Sequence, residues 1–399
     1  MYRLNGVVQH YSWGGNTLLP ALLNQTESGD KPFAEYWMGA HPSAPSVIRV
    51  DEQPVSLQQM IQEHPDELLG GRVLREFAGL PYLLKVLDVK QMLSIQVHPT
   101  RSAAALGFEQ ENILGIALNA PDRNYKDVNH KPEVMVALSE FWLLHGFKSP
   151  PLMEAILRAV PEFAELLEEY QKGSYRGLYE YIMYLPQDRV NEMLQPLLNR
   201  IIPLYEAGSL HKDQEDFWAA RAALTFNQGN DADRGIFSVY ILNLVQLKEG
   251  EGIFQDAGIL HAYLEGWNME LMANSDNVLR GGLTTKHINV AELMKHVRFE
   301  AVLPEIIHGK GEQEKVYPTP VNDFQISRID AEPHSKVPLH TSAPDILFVY
   351  KGPVTVSDET ASLKLNSGDA ALLLPGMTGS IQAESSAKIF RATVPEENS

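Results

Sequence analysis

The sequence predicts a mainly β protein with an α-helical insertion. Three observations carry this. Short apolar segments bounded by turn residues recur through residues 1–148; apolar residues recur at helical spacing through 149–230; and residues 302–399 are β-rich, with Gly and Pro turns and no long helical period. Pro81 to Val89, Met92 to His98 and Glu133 to Leu138 are the clearest strands. One helix interrupts them, Ser56 to Leu69, with Ser56 as its N-cap because a hydroxyl there can accept from an otherwise unpaired first-turn amide.

Beyond residue 148, helices are predicted over Met153 to Val160, Arg189 to Ile202 and Phe217 to Leu224. Pro150, Pro151, Pro161 and the turn Pro186-Gln-Asp188 punctuate them. A strand follows over Ile236 to Leu247, then a short helix over Val290 to His296. The polar tail Pro395 to Ser399 is expected to fray. The division that results is 1–148 and 231–301 as two parts of one β domain, 149–230 as a helical insertion, and 302–399 as a second β domain.

Composition narrows the function. The 399 residues, 44% apolar, support a sizeable core. No stretch approaches the ~18 apolar residues of a membrane span, and residues 1–6 lack the apolar region of a signal peptide, so a cytoplasmic protein without a membrane partner is expected. With no cysteine, disulfides and thiolate chemistry are excluded, and any metal must be held by imidazole, carboxylate or amide oxygen, which suits Zn, Mn, Fe or Co. The charge, 33 − 51 = −18, disfavours nucleic acid and anionic membranes. An anionic small substrate then demands a local cationic cluster.

Two distant segments share a turn–strand–turn form. Gly252 to His261 reads G-x5-G-x2-H, and Gly368 to Gly376 reads G-D-x5-P-G. Both resemble the second signature of the cupin family, which implies two cupin jelly-roll barrels plus an α-helical domain.

In Met92 to His98, strand alternation puts Ser94, Gln96 and His98 on one face. Donors at i and i+2 can chelate one ion if that face looks into a barrel; a solvated edge strand gives the same polar stripe. Glu133 stands at the mouth of an apolar strand and shares a face with Lys131, a placement that ordinarily makes only a weak surface ion pair. His261 closes the G-x5-G-x2-H element. Together Gln96, His98, Glu133 and His261 would offer two imidazoles, one carboxylate and one amide oxygen, a donor set plausible for zinc. The stretch Glu270 to His287 brings Arg280 and Lys286 among acidic neighbours. It reads equally as a solvated loop, or, with Lys131 and Lys85, as the cationic cluster an anionic substrate needs.

A set of blocks then matches one family: Tyr11-Ser-Trp-Gly14, Ala34 to Pro45 (AEYWMGAHPSAP), Leu80 to Leu87 (LPYLLKVL), Leu93 to Pro99 (LSIQVHP), Asn129-His-Lys-Pro-Glu133 and Met272 to Thr284 (MANSDNVLRGGLT). The chain resembles the type I phosphomannose isomerases, in order from about residue 1 to 300 and more weakly beyond. The resemblance implies a zinc-bearing cupin barrel, an inserted helical domain and a second barrel without metal. It places one zinc ion per chain on Gln96, His98, Glu133 and His261, the active-site arginine at Arg280, and a pocket around Trp13, Ser94, Lys131, Tyr263, Glu270, Asp276 and Lys286. The implied reaction interconverts mannose 6-phosphate and fructose 6-phosphate through an enediolate, with Glu270 or Lys131 carrying the proton, His130 assisting ring opening and Lys286 or Lys85 holding the phosphate. One departure touches only a turn: Asp256 stands where a cupin has proline. In the last β domain Ser342 replaces a signature histidine and none follows Gly376, so no metal is expected there. The chain is taken as a monomer. The alternatives are a non-catalytic bicupin that binds sugar phosphate, and a metal oxygenase.

Overall fold

The computed structural model describes residues 1–25, 31–50 and 53–396. It is mainly β-sheet with a run of helices inserted between two neighbouring strands, Phe141–Phe147 and Leu242–Leu247. Strands Tyr82–Val89, Ile95–Val97 and Glu133–Ala137 fall inside the ranges that apolar patterning predicts. Of the tail, 397–399 lie outside the described residues. Among the described residues no helix is long and apolar enough to cross a membrane.

The helix predicted over Ser56 to Leu69 is two helices, Leu57–Glu63 and Pro65–Phe77. Ser56 caps the first by accepting from the amide of Gln59. Pro65 has no amide to continue that helix, so it opens a new one, and His64 leaves the helical region at φ −132°. The insertion holds Pro150–Ala159, Ala164–Tyr184, Gln187–Glu206, Glu215–Phe226 and Gly235–Ile241. Sequence patterning missed Ala164–Tyr184, whose helical period is broken at Ser174 (φ 54°). It also missed Arg101–Ile113, capped by Thr100. The strand expected over Ile236 to Leu247 is corrected: Gly235–Ile241 is helix and only Leu242–Leu247 is strand. All seven residues of that helix are buried, so no polar face marks a period.

One eight-stranded sheet joins the beginning of the chain to its end: Tyr2–Asn5 pairs antiparallel with both Ala370–Leu373 and Val47–Val50. A four-stranded sheet packs across it around Val337, Leu347, Val354 and Ile381. The eleven-stranded sheet is organised by its longest strand, His261–Ala273. The first part of that strand pairs with Phe141–Phe147 and Ile95–Val97, the second with Tyr82–Val89 and Glu133–Ala137. Between the two parts the register shifts at a bulge after Tyr263. Gly266 (φ 132°) makes the bend possible, since a Cβ there would lie 2.6 Å from the carbonyl of Glu140. Ile95 and Val97 turn outward into the core shared with the inserted helices, which sends Ser94 and Gln96 to the opposite face.

Candidate metal centre

Register builds the site. In antiparallel pairs, facing residues project to one side of the sheet. His261 lies opposite Gln96, and Gln96 opposite Arg280. In the neighbouring strands Gln255 lies opposite Glu133, and Trp37 opposite Lys85, which in turn faces Glu270. Residues as far apart in sequence as Trp37 and Arg280 thus reach one face.

His98, Glu133 and His261 form a buried cluster whose ligand atoms all lie within 4.8 Å of one another. His98 Nδ1 is 2.9 Å from the carbonyl oxygen of Asn277, and His261 Nδ1 is 2.9 Å from that of Ile259. A carbonyl only accepts, so each proton sits on Nδ1 and each Nε2 presents a lone pair. Those two Nε2 atoms stand 3.4 and 3.5 Å from the two oxygens of Glu133. Donors bound to a tetrahedral zinc at its usual bond lengths lie about 3.3–3.5 Å apart, so the spacing fits the ion. His98 Nε2 is also buried with no hydrogen-bond partner, an orphan a cation would satisfy. Burial holds the His98 imidazole down at about 4, against the pull of Glu133. Burial would raise the Glu133 carboxyl, but Lys131, with Nζ 2.9 Å away, and His98 hold it well below the usual range.

The cluster borders a cavity of about 440 Å³ whose wall includes Trp13, Ser94, Gln96, Lys131, Asp276 and Arg280, with Lys85 and Lys286. Glu133, His98, His261, Tyr263 and Glu270 are buried side chains of the same region. Lys85 Nζ lies 3.4 Å from Glu35 Oε2 and 3.2 Å from Glu270 Oε2, and 5.0 Å from the ring centre of Trp37. Burial opposes its charge, yet Glu35 and Glu270 raise its pKa. The hydroxyl of Tyr263 donates to Glu270 Oε1 at 2.8 Å. Burial and the nearby Glu133 push the Glu270 carboxyl up.

Arg280 and Lys286 differ from the other cations. Neither has a carboxylate partner among the described residues; burial lowers the pKa of both, and Arg280 lowers that of Lys286 further. They leave positive charge on the cavity wall that no carboxylate among the described residues neutralises.

His130 is not brought to the site. Its Nε2 lies 3.0 Å from Asp323 Oδ1 and 2.7 Å from Arg101 Nη2, and it lines a separate cavity with those two residues. Lys131 lines the cavity of about 440 Å³ and His130 the separate one. Conversely, Glu35, Trp37 and His41 line the cavity without having been singled out. Their signal lay in the block Ala34 to Pro45, where Glu35 and Trp37 alternate along a wholly buried strand.

Fold and site define a β protein with a buried His–His–Glu cluster of metal-binding geometry beside a cation-bearing cavity. Residues 1–150 match the family model for the phosphomannose isomerase type I catalytic domain. The chain is 35% identical over 388 residues to mannose-6-phosphate isomerase of Escherichia coli strain K12, covering 94% of each chain. It is 32% identical over an alignment of 433 residues to that of Bos taurus, covering 100% of this chain and 96% of the other. A crystal structure of mannose 6-phosphate isomerase from Salmonella typhimurium, bound to its substrate f6p and a zinc atom, matches with a TM-score of 0.87 at 32% identity, covering 99% of this chain and 100% of that one. The chain belongs to the type I mannose-6-phosphate isomerase family.

Proposed function

We propose that the protein is a zinc-dependent isomerase that interconverts mannose 6-phosphate and fructose 6-phosphate. The observation that carries this is a carboxylate-centred pair of Nε2 donors beside a cavity lined by two cations, Arg280 and Lys286, that have no carboxylate partner among the described residues. Gln96, His98, Glu133 and His261 would hold the ion; when bound, it supplies positive charge for the oxyanion that develops at the C1–C2 unit. Arg280 donates N–H groups to the same charge. The phosphate goes to Lys286 and Arg280 rather than Lys85, whose charge two carboxylates already match. The proton that moves between C2 and C1 is carried by Lys131 or Glu270; Lys131 lines the cavity, and the raised pKa of Glu270 suits proton exchange nearer neutrality. Trp13, Ser94, Tyr263 and Asp276 complete the substrate pocket, and Asp276 lies on its wall.

We read the β parts as two cupin barrels, 1–148 with 231–301 and 302–399, with 149–230 inserted and the strands Tyr2–Asn5 and Val47–Val50 lent to the second barrel. A cytoplasmic monomer completes the reading. The test is to incubate the purified protein with mannose 6-phosphate and follow fructose 6-phosphate. Turnover should vanish with a chelator and return with zinc. Undiminished turnover after complete metal removal would overturn the zinc centre, and binding of the sugar phosphate without turnover would favour the non-catalytic binder.

A further inference from the structure

We propose that His41 is a positioning residue of the isomerase site, acting by fixing the carboxylate of Asp276 at the cavity wall. His41 follows the strand Glu35–Gly39 and is 3% exposed. Its Nε2 lies 3.3 Å from Asp276 Oδ1. Its other nitrogen identifies the tautomer. The backbone amide of Ser43 donates to Nδ1 at 3.3 Å, and the Ser43 hydroxyl lies 2.7 Å from the same atom. An amide only donates, so Nδ1 accepts, and in the neutral ring the proton is on Nε2, directed at Asp276.

The remaining contacts show why this matters for one side chain. The backbone of Asp276 is already anchored, its amide donating to Asp127 Oδ2 at 2.8 Å. Its carboxylate has no other partner among the described residues and its side chain is half exposed to the cavities. His41 therefore governs the carboxylate and leaves the loop to Asp127. The imidazole is itself immobilised, its ring packed edge-on to Trp37 at 4.9 Å between centroids. Trp37 in turn lies under Lys85 and donates to Glu35. The pair stands where the catalytic cavity adjoins a second cavity of about 770 Å³, both lined by His41, Asp276, Arg280 and Lys286. A carboxylate free to rotate there could swing out of the substrate pocket. Burial would raise the Asp276 carboxyl, but His41, Lys131 and Lys85 hold it below its ordinary value, so it faces the pocket as an acceptor for a sugar hydroxyl. Long contacts of this kind tighten when substrate arrives.

The inference rests on the isomerase reading, and a double-mutant cycle separates the two. His41→Ala, His41→Gln, Asp276→Ala and the double variant His41→Ala/Asp276→Ala are assayed for kcat and KM with mannose 6-phosphate, with zinc content and melting temperature as controls. His41→Ala should lower kcat/KM at least tenfold. His41→Gln, whose amide can donate from near the Nε2 position, should recover most of it. In the Asp276→Ala background, where no acceptor is left for His41, the same alanine change should cost less than twofold. Equal losses in both backgrounds, or a glutamine no better than alanine, would overturn the role of His41 while leaving the isomerase reading intact. An inactive wild type would instead overturn that reading and this inference with it.

Discussion

Two arginines of this protein should respond to truncation in opposite ways, because one is paired and the other is not. Arg391 Nε lies 2.6 Å from Asp345 Oδ2, and its Nη2 donates to the His340 carbonyl at 2.7 Å. Asp345 is fully buried, and burial raises its carboxyl to about 6 even beside that guanidinium. Arg391→Met would strand this carboxylate, which costs about 3–5 kcal/mol of folding stability near neutral pH. The sign with pH follows. Without Arg391 the Asp345 pKa climbs further above its unfolded value, so the folded variant takes up a proton as pH falls, and its deficit should shrink from pH 8 to pH 5. Arg280 has no such anion to strand among the described residues, so Arg280→Met should stay within about 0.5 kcal/mol of wild type. Its loss appears in catalysis instead: a charge-assisted hydrogen bond is worth about 1.5–3 kcal/mol, which is roughly a 10- to 150-fold fall in kcat/KM for mannose 6-phosphate. Denaturant unfolding at two pH values and a coupled isomerase assay measure both. If Arg280→Met unfolds as readily as Arg391→Met, or turns over the sugar phosphate at the wild-type rate, the distinction between the two arginines is wrong.

Asn277→Ala should weaken zinc binding about 10- to 100-fold, measured by competition with a chromogenic chelator, because the fully buried Asn277 holds the carbonyl that fixes the His98 tautomer. Its side chain donates to the carbonyls of Asp127 and Asn129 at 2.8 Å each and accepts from the Lys126 amide at 2.7 Å; zinc affinity unchanged in the alanine variant would show that this anchoring is dispensable. Zinc and sugar phosphate should also bind cooperatively, each tightening the other by the same factor within about 5- to 150-fold, as read by calorimetric titration of fructose 6-phosphate with and without metal. Equal affinity in the two titrations would refute the coupling.

Local sequence patterning found the elements whose burial differs from face to face or whose ends carry a cap. Ser56 and the helix Val290–His296, capped by Asn289, were readable for that reason. It failed where a segment is buried on all sides, as in Gly235–Ile241, and where backbone strain interrupts a period, as at Ser174. The site divides in the same way. Gln96 and His98 share a strand face, which spacing alone could suggest, but the approach of His261 and Arg280 to them depends on register with two distant strands. Only matching whole blocks to a family could anticipate that. The resemblance also carried a role to His130, whose side chain lies 3.0 Å from Asp323 and lines a separate cavity.

The charge of the cavity region explains how so acidic a chain can handle a dianion. Glu35, Glu133, Glu270 and Asp276 are matched in number by Lys85, Lys131, Arg280 and Lys286, so these eight groups sum to zero while the whole chain carries −18. The matching is uneven in space. Lys85 and Lys131 are consumed by carboxylates at 2.9–3.4 Å, whereas Arg280 and Lys286 have no carboxylate partner among the described residues. A divalent ion among His98, Glu133 and His261 would bring the region to about +2, close to the charge needed to balance a phosphate monoester of about −1.5 to −2. Positive charge is therefore divided between two places, the ion position beside the carbons that react and the arginine–lysine pair that would receive the phosphate. That division would let the phosphate anchor the sugar without competing for the ion, and Arg280, opposite Gln96 in register and on the cavity wall with Lys286, stands between the two places.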